Sequence, residues 1–131
     1  MVFIDSNIPM YLVGGPHTNK GRAQQLMRSL IQRDEHLATD AEVLQEVLHR
    51  YHAIGRHEAI GPAIDVLKEI VDTVFPISAD DVMRARAILE SQPSISARDA
   101  IHAAIMDRYE ITEIATFNAG FDLLQGVRRI Q

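Results

Sequence analysis

The chain has 131 residues, of which 47% are apolar and 24% charged, enough for one domain with a sizeable core. Eighteen acidic residues against 13 basic ones give a formal charge of −5, which argues against a nonspecific nucleic-acid coat protein and leaves room for clustered carboxylates. Cysteine is absent, so disulfides and thiolate metal sites are excluded.

Val2–Ile4 is a short continuous apolar run, the pattern of a strand covered on both faces, and Asp5 follows it at once. Residues from about Asn19 to Arg33 place Ala23, Leu26, Met27, Leu30 and Ile31 at helical spacing, with Asn19 as the expected cap. His36–Thr39 reads as a second strand, and Thr39 with Glu42 forms an S/T-x-x-E capping box opening a helix that carries Glu46. A further helix is expected over about Glu58–Thr73. TVFPIS then reads as an edge strand, because Pro76 cannot donate to a ladder. ADDVMRARAILES is an amphipathic helix, and SARDAIHAAIMDRYE is a helix begun by Ser96. ITEIAT (111–116) is the most strand-like segment, a turn at Gly120 follows, and VRRI closes as a last strand.

Strands alternating with helices predict an α/β fold with a mainly parallel sheet and helices on both faces, in one domain over residues 1–131. In such sheets ligands bind outside the carboxyl ends of the strands, where Asp5 stands. Turn formation alone would explain an aspartate there, but Ser6 and Asn7 can do that work. Glu46 has Arg50 one turn on as an ordinary partner, yet it borders the apolar stripe of Val43 and Val47. Asp99 makes a capping box with Ser96, worth about 0.5–2 kcal/mol. It is equally placed, in the first turn of a helix facing the strand ends, to hold a cation. His102, three residues on, reads as a core or supporting residue more readily than as a ligand. Asn118 follows the fourth strand, where turn chemistry alone accounts for it; its amide could also lend a neutral oxygen. Asp122 is a solvent-facing charge or a replacement acid.

Taken together, FIDSNI, EVLQEVLHRY, SARDAIHAAIM and IATFNAGFD resemble the PIN domain, with VapC-type toxins of prokaryotic toxin–antitoxin pairs as the nearest branch. The resemblance spans essentially the whole chain and implies a PIN-like three-layer α/β/α sandwich. It implies a metal-dependent endoribonuclease with Asp5, Glu46 and Asp99 as catalytic acids. Asp5 and Asp99 would be direct ligands of Mg²⁺ or Mn²⁺, and Glu46 would bind directly or through water. Ser6, Asn118, Asp122 and His102 would support them. The fourth acidic position of the family is Asn118 here, and the lost charge weakens a second cation more than a first.

Lys20, Arg22, Arg98 and His17 lie close in sequence to these motifs and are the candidate RNA contacts. The resemblance further implies an RNA substrate, a cognate antitoxin, a homodimer and a cytoplasmic setting. Ile8, Met10, Tyr11 and Leu12, with the Leu26–Ile31 stripe, are either partner contacts or core. The competing reading is a PIN-like RNA-binding module with weak or lost catalysis at Asn118. A phospho-acceptor domain leaves Glu46 and Asp99 unexplained. Met1–Ile4 is too short for a signal-peptide core, and no stretch approaches the ~18 apolar residues of a membrane span.

Overall fold

The computed structural model describes residues 1–131. Five parallel strands form one sheet in the order β3-β2-β1-β4-β5. They are β1 (Val2–Ile4), β2 (Leu37–Asp40), β3 (Thr73–Phe75), β4 (Glu113–Ala115) and β5 (Arg128–Ile130). The helices are α1 (Asn7–Val13), α2 (Thr18–Gln32), α3 (Ala41–Ala53), α4 (Ile60–Ile70), α5 (Ala79–Ser91) and α6 (Ala97–Arg108). The α/β architecture and the parallel sheet expected from the sequence are those observed. No helix is long and apolar enough to cross a membrane.

Chain order explains where the chemistry must lie. From β1 the chain moves through α1 and α2 to β2, and through α3 and α4 to β3, always outward on one side. After β3 it returns through α5 and α6 to β4, on the other flank of β1. Right-handed crossovers running in opposite directions put the first four helices on one face and the last two on the other. Between β1 and β4 the winding reverses, and the crevice at such a reversal opens beyond the strand ends.

β1 is apolar throughout because it is central: Val2, Phe3 and Ile4 are wholly buried, and their partners Leu37, Ala38, Ile114 and Ala115 are buried with them. The edges are more polar. Pro76 stands just beyond edge strand β3, and β5 carries Arg128, which pairs with Glu113 of β4. Charge on an edge strand discourages pairing with other chains.

Several local expectations shift. The apolar patch after Asp5 is helix α1; Ile8 and Pro9 are buried in it, so these two are core. Its seven residues are too few to show a period, and its proline sits in the first turn, where a missing N–H costs nothing. Met27 and Leu30 of α2 are likewise core, whereas Ile31 is exposed. α2 is capped by His17, whose Nδ1 accepts the Asn19 N–H at 3.0 Å, and not by Asn19. The helix expected over 58–73 is a 3-10 turn (His57–Ala59) followed by α4, and Thr73 already belongs to β3.

α3 begins one residue later than its expected capping box. Thr39 is a buried strand residue whose hydroxyl donates to the Ile4 carbonyl at 2.8 Å. Asp40 is the cap, accepting the Val43 N–H at 2.9 Å. The reciprocal capping box forms at Ser78 and Asp81 on α5. At α6 only half of the expected one forms: Ser96 Oγ accepts the Asp99 N–H at 3.1 Å, but the Asp99 carboxylate turns elsewhere.

Candidate active site

Asp5 leaves the end of β1 into the crevice and is 3% exposed. One carboxylate oxygen accepts the Ser6 backbone N–H at 2.7 Å, and the other accepts the Thr116 hydroxyl at 2.6 Å. Thr116 follows β4, so the two central strands hold the carboxylate between them. The Thr116 oxygen is itself saturated, accepting from Asn7 Nδ2 at 2.9 Å and from the Asn118 N–H at 3.0 Å. Asn7 completes the brace: its Oδ1 accepts the Phe117 N–H at 3.3 Å.

His102 of α6 lies beneath, wholly buried, its ring 5.3 Å from that of Phe3. Nδ1 is 2.8 Å from Asp40 Oδ2, and Nε2 is 2.7 Å from Glu46 Oε1 and 3.8 Å from Asp5 Oδ1. Against ionised carboxylates, which only accept, both ring nitrogens donate, the arrangement an imidazolium makes. Burial opposes that charge, but the hydrogen bonds to Asp40 and Glu46 and the charges of Asp40 and Asp5 outweigh it, holding the histidine protonated well above its ordinary range.

Glu46 reaches the same point from α3, with Oε2 accepting the Ser6 hydroxyl at 2.8 Å. Burial raises its pKa, but the hydrogen bond and charge of His102, with help from Ser6 and Arg98, bring it below the usual value. Asp5 goes the other way: burial raises its pKa more than His102 and Thr116 lower it, and the Glu46 charge adds to the rise. Asp99 is raised by burial as well, with His102 opposing and Glu46 reinforcing.

Asp5, Glu46 and His102 each offer one donor atom within 4.8 Å of the others. Asp99 stands outside this tight group but within its field, its Oδ2 accepting from Asn118 Nδ2 at 2.8 Å. Asn118 Oδ1 accepts the Gly120 N–H at 2.9 Å, and because a backbone N–H can only donate, the amide orientation is fixed. Asn118 thus presents a donor toward the acids, not the oxygen that its position suggested. Asp122 does not replace the missing acid: it is bonded to Arg129 by both oxygens, at 3.1 and 3.0 Å.

The donor set fits a hard divalent cation. Asp5, Asp40, Glu46 and Asp99 gather around one buried imidazole, with Arg98 the further cation near Glu46, so carboxyl groups outnumber cations in the crevice. Carboxylate oxygens favour Mg²⁺, Mn²⁺ or Ca²⁺ over softer metals, and both ring nitrogens of His102 are already engaged by Asp40 and Glu46.

Beside the acids runs a cleft of about 770 Å³, lined by Ser6, Glu46, His17, Arg50 and Arg98 among others. Lys20 instead binds the Gly14 carbonyl at 2.7 Å, and Arg22 lies 5.4 Å over the Phe117 ring. Asp40 and Thr116 went unnoticed in the sequence. Asp40 ends β2 and Thr116 directly follows β4, strand-end positions like that of Asp5, and that was the available signal.

The PIN domain matches residues 2–127. The chain is 50% identical to the ribonuclease VapC13 of Mycobacterium tuberculosis over 130 residues, 99% of each chain. It is 32% identical to VapC23 of the same organism over 118 residues, 90% and 93% of the two. Among solved structures, M. tuberculosis VapC20, described as a toxin that cleaves the sarcin–ricin loop, superposes with a TM-score of 0.76 at 22% identity, covering 91% of both chains. VapBC2 of Rickettsia felis, bound to promoter DNA, gives 0.70 at 17% identity, covering 99% and 98%. The strand-end acids and these likenesses agree: the chain belongs to the PIN domain family.

Proposed function

We propose that the chain is the toxin of a VapBC-type pair, an endoribonuclease that hydrolyses RNA phosphodiester bonds with Mg²⁺ or Mn²⁺ and so stops translation and growth. The observation that carries this reading is the meeting of Asp5 and Glu46 at His102, at the reversal of the sheet and beside a cleft. The ribonuclease names of relatives 50% and 32% identical over nearly the whole chain support the activity.

Asp5, Glu46 and Asp99 are the residues that would hold the ion, which when bound supplies a water acidified toward neutral pH and positive charge against the phosphate. The remaining work belongs to the protein. Thr116 and the Ser6 N–H fix the Asp5 carboxylate at the end of β1. His102 holds Glu46 ionised and in place, and Asp40 holds His102. Asn118 anchors Asp99. Arg98 and Arg50 line the cleft, where cations can offset the repulsion between a phosphate chain and a protein of net charge −5. Hydrolysis joins the water oxygen to phosphorus and breaks the bond to the 3′ oxygen, which takes a proton, leaving a 5′-phosphate and a 3′-hydroxyl.

The test is cleavage of an RNA panel with Mg²⁺, Mn²⁺ or chelator, comparing wild type with Asp5→Ala and Asp99→Asn. Cleavage should need the ion and be lost in both variants; metal-independent cleavage, or full activity in either, overturns the reading. An antitoxin partner and a homodimer belong to the same proposal. Structural relatives from R. felis and Klebsiella pneumoniae were solved as toxin–antitoxin assemblies, and light scattering of the protein alone tests the dimer.

A further inference from the structure

One wall of the cleft is aromatic, and its rings take no part in the chemistry described above. Tyr11, on α1, lines the cleft together with His17. The two rings lie 4.9 Å apart at 33°, and Phe117 meets Tyr11 edge-on at 5.4 Å and 89°. Arg22 covers Phe117 at 5.4 Å.

The wall is built rather than incidental. His17 Nδ1 accepts the Asn19 N–H, which fixes the ring at the start of α2. The loop between Tyr11 and His17 is held by Lys20, which donates to the Gly14 carbonyl at 2.7 Å. At Gly14 itself, a Cβ would stand 2.9 Å from the Met10 carbonyl, so no larger residue fits that path without displacing backbone.

The wall is also coupled to the acids. Phe117 donates its N–H to Asn7 Oδ1 at 3.3 Å, and Asn7 Nδ2 reaches Thr116 Oγ1, which holds Asp5. Tyr11 lies one helical turn beyond Asn7. Ser6 and Glu46 line the same cleft as the two rings, so a chain whose phosphate approaches the acids brings its neighbouring groups past the aromatic wall.

We propose that Tyr11 and His17, backed by Phe117 and Arg22, form a stacking ledge for an unpaired nucleobase adjacent to the bond being cut. The inference rests on the nuclease reading for its substrate and adds which side chains receive the base beside the cut, a base free to leave its own stack. Aromatic faces accept any base, while a duplex keeps its bases stacked out of reach. Lining by charged Arg50 and Arg98 suits the backbone, and the rings suit the base.

The test uses the full chain in the Asp5→Asn background, with single-stranded RNA of randomised sequence carrying one 2-aminopurine. Binding should quench the probe's fluorescence. Tyr11→Leu keeps the apolar volume and removes the stack; His17→Asn keeps the cap on α2 and removes the ring. Each should weaken binding roughly tenfold and restore the fluorescence. In the otherwise wild-type chain with metal, each should raise KM by a similar factor at unchanged kcat. No quenching in the parent, or equal quenching and affinity in both variants, overturns the ledge. Quenching by a chain that never cleaves RNA would remove the nuclease reading and leave the ledge; cleavage with the same KM in both variants would do the reverse.

Discussion

His102 and Asp40 meet at 2.8 Å across 62 residues of sequence, both with no exposed surface. The contact ties the end of β2 and the start of α3 to the middle of α6, and it leaves the other side of the imidazole facing Glu46. Removing one member of a buried ion pair leaves the other charge uncompensated, at a cost of about 3–5 kcal/mol. Asp40→Ala also removes the cap of α3, about 1 kcal/mol more. Urea unfolding should therefore place Asp40→Ala among the most destabilising single changes in the protein. A loss within about 1 kcal/mol of that for an exposed control such as Asp65→Ala would show the pair to be idle.

Thr116 is the second prediction. Its hydroxyl gives its proton to Asp5 and accepts from Asn7 and from the Asn118 N–H. Thr116→Val preserves shape but strands those donors and frees the Asp5 carboxylate. Each unsatisfied buried group costs about 1–3 kcal/mol. Stability should fall by roughly that much and RNA cleavage should fall with it, since the carboxylate loses its orientation. Thr116→Ser keeps the hydroxyl and should restore cleavage; failure of serine to do so would mean the methyl group, not the oxygen, matters.

Much of this arrangement could be read from the chain and some could not. Val2–Ile4 advertised a central strand because a strand covered on both faces has no polar alternation, and the same logic put Asp5 in the crevice. Glu46 and Asp99 stood out through motif spacing. Asp40 was hidden because Thr39 and Glu42 offered an equally good cap one residue earlier; only the Thr39 hydroxyl turning back to the Ile4 carbonyl decides between them. α1 was hidden by its length, and the orientation of Asn118 depends on a contact between its amide and Gly120 that composition cannot reveal. The charge state of His102 depends on two carboxylates arriving from β2 and α3, which is a tertiary fact.

A third prediction concerns acid, away from the crevice. Asp81 is 3% exposed on α5. Burial raises its pKa, but the Ser78 N–H and hydroxyl, at 2.9 Å each, and Arg108, at 3.0 Å, bring it below the usual carboxylate value. A carboxyl depressed in the folded state contributes stability that is full above its unfolded pKa and is lost as pH falls through the folded one. The difference in stability between wild type and Asp81→Asn should be constant from neutral pH down to about pH 5 and shrink below about pH 4. A difference that instead grows as the solution is acidified would reverse the sign and refute the assignment.

The last prediction concerns position 118. Asn118 donates from Nδ2 to Asp99 at 2.8 Å, so Asn118→Asp would replace an attractive contact with two carboxylates at hydrogen-bond distance. Without metal, the loss of a hydrogen bond to a charged group, about 1.5–3 kcal/mol, adds to the repulsion, and the melting temperature should fall. The same repulsion makes a bound cation more favourable, because an ion that neutralises both acids relieves it. A ligand that binds only the folded state raises stability by an amount that grows with concentration over Kd. Thermal unfolding across a Mn²⁺ titration should therefore show a lower starting point for Asn118→Asp and a larger rise than wild type, with the two curves converging or crossing. Should the variant start lower and rise less, the 118 side chain would have no part in holding the ion, and its role would be limited to anchoring Asp99.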